Sequence, residues 1–321
     1  MPETIDREVA ASFFDADAIR EAPRRLYRYD EAGLRYYYTL GTGADGEAVA
    51  NLYPSVTTVI RRTTPMPYFL LTWYAELGMA AAERRRDERA AYGTLMHRLF
   101  ERLVIARQID LDALPGVVAS YAEERHLPCD TGGWARDLAE DLVGFASFLR
   151  EKNAKVVGIE VPLASDAMGY AGCGDLFAWL DVEQGNGPGK KKTYTRELCY
   201  VDWKSNRTSF YEESEIQCHA YAALWNEEFP ESPVTRVCLY GAKDWNEKSK
   251  GLYRFSDVTD APLANIFPNL LEQFRAREAD KTRTRISIGG TVSLDQDPAS
   301  CWEAKPLELH LAQVHEMRRA A

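Results

Sequence analysis

The sequence predicts an α/β protein in which a mixed central sheet is flanked by helices. Three observations carry that prediction. Residues 66–153 repeat apolar side chains at helical spacing, and after residue 154 the period becomes that of strands. A helical run then separates the third strand-like segment from a fourth. Hairpin strands in succession followed by a helical crossover build a mixed sheet with helices against it.

In order along the chain, residues 1–65 form an N-terminal helix and β-hairpin region. "LRYYYTL" and "EAVANLYPSVTTVI" flank the turn signal "GTGADG", and Pro54-Ser55 leads into a short helix or the end of a strand. Residues 66–153 form a helical subdomain. "YFLLTWYAELGMAAAERRR", "AYGTLMHRLFERLVIARQ" and "GGWARDLAEDLVGFASFLREKN" are its helices, with breaks at "LPG" and Gly132-Gly133. Residues 154–285 hold the sheet. Its first strands are "KVVGIEVPLA", "GYAGCGDLFAWLDV" and "TYTRELCYVDWKS", the last two joined through the Gly- and Lys-rich tip "EQGNGPGKKK". The helix "FYEESEIQCHAYAALWNEEF", the strands "VTRVCLYGA" and "GLYRFS", and a final helix around 261–280 follow. Residues 286–321 read as a tail of weak periodicity.

Composition is that of a globular chain: 45% hydrophobic and 27% charged over 321 residues, with no transmembrane run. The acidic N-terminus lacks the basic and apolar regions of a targeting segment, so a cytoplasmic protein with no membrane partner is expected. Six scattered cysteines form no CxxC pair and no disulfide framework. The net charge of −10 excludes a uniformly basic surface but not nucleic acid, which needs only a local basic track. Arg84, Arg85 and Arg86, Lys190, Lys191 and Lys192, and "RAREADKTRTR" are such tracks, and each taken alone is more often a solvated face than a binding site.

The residues that carry chemistry recur in a fixed order. His97 follows Gly93-Thr94 on a helix, Glu160 sits inside a strand, and Asp175 follows the glycines of "GYAGCGD" on the next. Asp202 and Lys204 end the third strand, where a period of two puts them on one face. Gln217 and Tyr221, four apart, share a face of the following helix. Two carboxylates from paired strands suit a hard divalent cation, and a lysine beside them suits phosphodiester hydrolysis by orienting water and neutralising charge on the phosphate.

These segments, "GTLMH", "GCGD", "DWK" and "QCHAY", resemble the GTxxH, GxxD, DxK and QxxxY motifs of the PD-(D/E)XK nuclease superfamily in its RecB-type branch. "YPSVTTVI" looks like the segment that precedes the helices in mitochondrial genome maintenance exonucleases and related phage and bacterial proteins. Each motif alone is weak, because D-x-K arises by chance; four in order on suitable elements are specific. The resemblance implies a restriction-endonuclease-like core, with His97, Asp175, Asp202 and the Trp203 carbonyl holding Mg²⁺ or Mn²⁺. It further implies that Lys204 positions the attacking water, that Gln217 and Tyr221 support the lysine or the phosphate, and that Glu160 lies near the metal. Many relatives carry a four-cysteine iron–sulfur cluster. This chain has Cys301 alone beyond Cys238, so no cluster is expected.

The implied activity is DNA hydrolysis, exonucleolytic and directed at single strands or free ends, in replication, recombination, repair or phage DNA processing. A structure-specific or restriction-like endonuclease would use the same site, and an inactive binding subunit would have lost part of it. Similar exonucleases pass a strand through a helical arch, whose rim Arg84–Arg86 would suit; Lys190–Lys192 and Arg207 complete the expected DNA track. Tyr36, Tyr37, Tyr38 and Trp73 are candidates for stacking on bases. Glu101, one turn beyond His97, reads either as an orienting partner or as a solvated side chain.

Overall fold

A computed structural model describes residues 26–31, 33–42, 48–184, 193–207, 209–243, 252–279, 284–288 and 302–306. Residues 1–25, with the expected N-terminal helix, Lys190–Lys192 and Cys301 lie outside the described residues. The expected hairpin is part of a three-stranded antiparallel sheet, β1 (Tyr27–Glu31), β2 (Leu34–Thr42) and β3 (Ala48–Pro54). Tyr36 and Tyr38 are buried in and around it, away from any surface for stacking, whereas Tyr37, buried too, lines the cleft of the candidate site. Alternate residues of β2 pack on opposite sides, and both sides are covered here.

Ser55 ends β3 and starts α1 (Val56–Thr63), accepting a hydrogen bond from the Thr58 N–H as an N-cap. The Thr58 hydroxyl donates to the Arg35 carbonyl at 2.7 Å and accepts from the Arg35 N–H at 2.9 Å. "YPSVTT" is therefore a buckle between the first sheet and a helix.

The helical block is α2 (Tyr68–Leu77), α3 (Met79–Ala106), α4 (Leu114–Glu124) and α5 (Thr131–Glu151). The first expected helix is broken at Gly78, whose φ of 77° favours glycine, and its second half runs on into α3. "LPG" and Gly132-Gly133 are not breaks but first turns. Proline suits a position where the N–H has no helical partner. Gly133 makes room for its own cap: a Cβ there would stand 2.5 Å from Asp130 Oδ2, and its N–H donates to Asp130 Oδ1 at 3.0 Å.

The main sheet has the order β4 (Lys155–Ser165), β5 (Tyr170–Gln184), β6 (Thr193–Lys204), β7 (Arg236–Gly241), β8 (Arg254–Asp257). All neighbours pair antiparallel except β6 and β7, which are parallel because α6 (Glu212–Glu228) crosses between them. This is the mixed sheet expected. α7 (Phe267–Ala279) follows, and β9 (Thr284–Ile288), which straddles the start of the tail of weak periodicity expected from residue 286, pairs with β10 (Trp302–Pro306) inside it.

Strand alternation divides the core in two. Leu176, Ala178, Val201 and Trp203 face α3 and α5, where Phe100 and Phe145 stack at 4.2 Å. Phe177 and Tyr200 face α1, α6 and α7 with Trp225 and Leu271. Burying each such side chain contributes about 1.5–3 kcal/mol. The C-terminal ends of β6 and β7 thus open between two helical layers, the place where the polar residues of β6 emerge.

Candidate active site

Three elements bring one donor each to a single point. His97 comes from α3, Glu160 from β4 and Asp175 from β5, and their ligand atoms all lie within 4.8 Å of one another. His97 Nδ1 is 3.0 Å from Glu160 Oε1 and 3.6 Å from Asp175 Oδ1. The Trp203 N–H donates to Asp175 Oδ2 at 2.7 Å, so the other oxygen is left toward the histidine. Glu160 reaches the cluster with a φ of 46°, left-handed backbone inside a strand.

The glycines of the motifs make this convergence possible. A Cβ on Gly93 would meet Ser205 Oγ at 3.3 Å, so its absence lets α3 lie close to the chain leaving β6. A Cβ on Gly172 would stand 2.2 Å from Tyr221 Cε1, inside the ring's contact surface. Tyr221 of α6 therefore packs directly on the β5 backbone at Gly172, a few residues before Asp175.

Asp202 and Lys204 do share a face. Lys204 Nζ is 2.6 Å from Asp202 Oδ2 and donates to Gln217 Oε1 at 2.9 Å. Asp202 Oδ1 lies 3.4 Å from the Tyr200 hydroxyl. Asp202 is thus drawn to the lysine, whereas Glu160, expected near the metal but not among its ligands, joins His97 and Asp175. The Trp203 indole turns to the opposite face, in edge contact with Phe100, Phe145 and His97.

The charges reinforce one another. Burial works against the His97 imidazolium, but Asp175 and Glu160 outweigh it and hold its pKa at about 9. Burial pushes the Asp175 carboxyl upward, and the His97 charge opposes this. Burial also disfavours the Lys204 ammonium, yet Asp202 and Asp175 raise it above the usual lysine value. These carboxylates therefore favour the ammonium form of Lys204.

All these groups line one cleft of about 680 Å³ together with Arg28, Arg35, Thr57, Arg89 and Arg98. The four arginines were not singled out in the sequence. Arg89 had a signal, since 89, 93 and 97 recur at helical spacing; Arg28 and Arg35 come from the first sheet, whose docking no local pattern encodes. Glu101 also lines the cleft, and burial and the nearby Glu160 raise its pKa. Cys173 donates to Glu160 Oε2 at 3.5 Å and stays a thiol, because burial lifts its pKa far up.

The expected DNA track is divided. Arg84, Arg85 and Arg86 are exposed on α3. Arg207 is instead 10% exposed and donates to Asp141 Oδ1 at 2.6 Å and to the Asp137 carbonyl at 3.0 Å. That guanidinium ties α5 to the chain beyond β6.

One imidazole nitrogen and two carboxylate oxygens converging within 4.8 Å fit a small divalent cation: the carboxylates suit Mg²⁺, and the imidazole favours Mn²⁺. Among the described residues no helix is long and apolar enough to cross a membrane. The family model described as PD-(D/E)XK nuclease superfamily matches residues 70–290, which takes in His97, Glu160, Asp175, Asp202, Lys204, Gln217 and Tyr221 but not Arg28, Arg35 or Thr57. No curated protein matches the chain.

Proposed function

The chain belongs to the PD-(D/E)XK nuclease superfamily, and from that premise we propose that it is a deoxyribonuclease of the exonuclease type, acting on single strands or free ends. The observation that carries the reading is the placement of Lys204 in the same cleft as the cluster of His97, Glu160 and Asp175. His97, Glu160 and Asp175 would hold Mg²⁺ or Mn²⁺, with Asp202 beside them, and the ion would polarise the phosphate and lower the pKa of bound water.

The chain's own residues do the remaining work. Lys204, held by Asp202 and Gln217, keeps its ammonium pointed into the cleft, where it orients water and offsets charge growing on the phosphate. The Trp203 N–H fixes the rotamer of Asp175. Tyr221 sets the height of α6 over β5, and so the reach of Gln217 to the lysine. The arginines of the cleft meet the non-scissile phosphates.

The test compares wild type with Lys204→Ala on end-labelled linear single strands, linear duplex and circular single strands, with Mg²⁺ or Mn²⁺. Linear single strands are expected to be shortened and circles left intact, with the variant slower by roughly 10²–10³. Equal rates in the two proteins, or undiminished activity in EDTA, would sink the mechanism. Cleaved circles would make the enzyme an endonuclease with the same site.

A further inference from the structure

Asp202 is 2% exposed, and a carboxylate so enclosed needs a partner for each oxygen. Lys204 Nζ stands 2.6 Å from Oδ2, and the Tyr200 hydroxyl donates to Oδ1 at 3.4 Å. Tyr200, Asp202 and Lys204 alternate along β6 and so share one face of the strand. The tyrosine is long enough to reach forward over the two-residue repeat, about 7 Å, to the aspartate. Its hydroxyl also accepts from the Asp175 N–H at 3.5 Å. One buried oxygen thus joins the aspartates of two paired strands, β5 and β6.

The sheet leaves a seat for this ring. A Cβ on Gly174 would stand 3.3 Å from Tyr200 Cε2 and 2.6 Å from Phe177 Cε2, so the glycine before Asp175 leaves the space that both rings fill. Tyr200 lies 5.0 Å from Phe177 and 5.7 Å from Tyr221, centroid to centroid. Packing in this layer asks only for an aromatic ring, and phenylalanine would supply one. What phenylalanine lacks is the hydroxyl, which meets the Asp202 carboxylate and the Asp175 backbone. Tyr200 belongs to none of the segments "GTLMH", "GCGD", "DWK" and "QCHAY".

We propose that Tyr200 is a positioning residue of the active site that acts through Asp202. Its hydroxyl holds Oδ1, which keeps Oδ2 turned to Lys204, and it ties the carboxylate of β6 to the backbone that carries Asp175. The proposal rests on the nuclease reading above, in which Asp202 lies beside the divalent ion, and adds a residue to it. Removing the outer partner of such a carboxylate costs about 10–100-fold in metal affinity or activity. A hydroxyl that merely satisfied a buried oxygen would cost stability when lost and leave metal affinity alone.

The experiment titrates the full chain with Mn²⁺ by calorimetry, without DNA. Tyr200→Phe keeps the ring, removes the hydroxyl and is expected to bind Mn²⁺ about tenfold more weakly than wild type. In the Asp202→Asn background, which keeps His97, Glu160 and Asp175, Tyr200→Phe should cost no further affinity, because the hydroxyl acts through that carboxylate. Tyr170→Phe controls for packing: it lies in the same buried layer, and its hydroxyl donates to the Ala220 carbonyl at 3.1 Å. Its Mn²⁺ affinity should equal that of wild type, whatever the melting temperature does. Wild-type affinity in Tyr200→Phe overturns the proposal, even with a lowered melting temperature. So does a full further loss in the Asp202→Asn background, or an equal loss in Tyr170→Phe, since either shows a loosened layer and not a held carboxylate. A wild type that binds no Mn²⁺ overturns this proposal and the nuclease mechanism together. One that binds Mn²⁺ as expected but cleaves no DNA refutes the nuclease reading alone.

Discussion

Glu160 has a backbone conformation that costs a non-glycine residue about 1–2 kcal/mol, and it uses that conformation to hold His97. Its carboxylate is one of two that keep the imidazolium protonated to about pH 9. Glu160→Gln is therefore expected to lower the His97 pKa, read from the imidazole proton shifts by NMR; an unchanged value would show that Asp175 alone sets it. The same shift has a consequence for stability. A histidine whose folded pKa lies at about 9 rather than 6.5 stabilises the fold fully below pH 6.5, and loses that contribution as pH rises through 9. In EDTA the melting temperature of wild type should exceed that of His97→Gln by a margin that shrinks between about pH 6 and pH 10; a constant margin would contradict the charge assignment. Sequence alone exposed His97, Asp175 and Lys204 through their motifs. It put Glu160 near the site but not among the donors, because its reach depends on a single left-handed residue that no pattern of side chains announces.

Elements meet where motif glycines allow it. Gly172 and Tyr221 belong to different motifs, yet one exists for the other: a methyl group at 172 would overlap the tyrosine ring. Gly172→Ala is expected to destabilise by about 1–3 kcal/mol through overpacking, and to slow hydrolysis by lifting Gln217 from Lys204. Adding Tyr221→Ala should recover part of the stability, so the double variant is less destabilised than the sum of the singles. Additive losses in urea titrations would mean that the two do not touch. The strands and long helices were legible because their periods persist over many residues. The first turns at Pro115 and at Gly132-Gly133 were not, since the residues that start a helix are also those that stop one. The strands of the tail were hidden for a similar reason: five-residue segments paired only to each other carry too little period to be heard.

Among the described residues two layers of helices cover the five-stranded sheet, and Arg207 joins one layer to the chain that leaves β6. Asp141, to which Arg207 and the Tyr92 hydroxyl donate at 2.6 Å each, is fully enclosed, and burial pushes its pKa up to about 6 against the pull of Arg207. Asp141→Ala takes the nearer carboxylate from the Arg207 guanidinium, which keeps Glu140 at 3.3 Å, and is expected to cost about 3 kcal/mol, measured by chemical denaturation. A loss under 1 kcal/mol would mean that water replaces the carboxylate. From the sequence Arg207 reads as part of a DNA track, because a lone arginine after a strand looks the same whether it meets a phosphate or an aspartate 66 residues earlier. That separation also sets an order of events. β4, β5 and β6 pair with chain neighbours, whereas Arg207 and Asp141, like His97 and Glu160, meet across more than 60 residues. Loop closure delays such contacts until the hairpins exist. The helical layer therefore docks late, and in stopped-flow experiments Asp141→Ala should speed unfolding while refolding keeps its wild-type rate. On that expectation the chain acquires its sheet first and its cleft last.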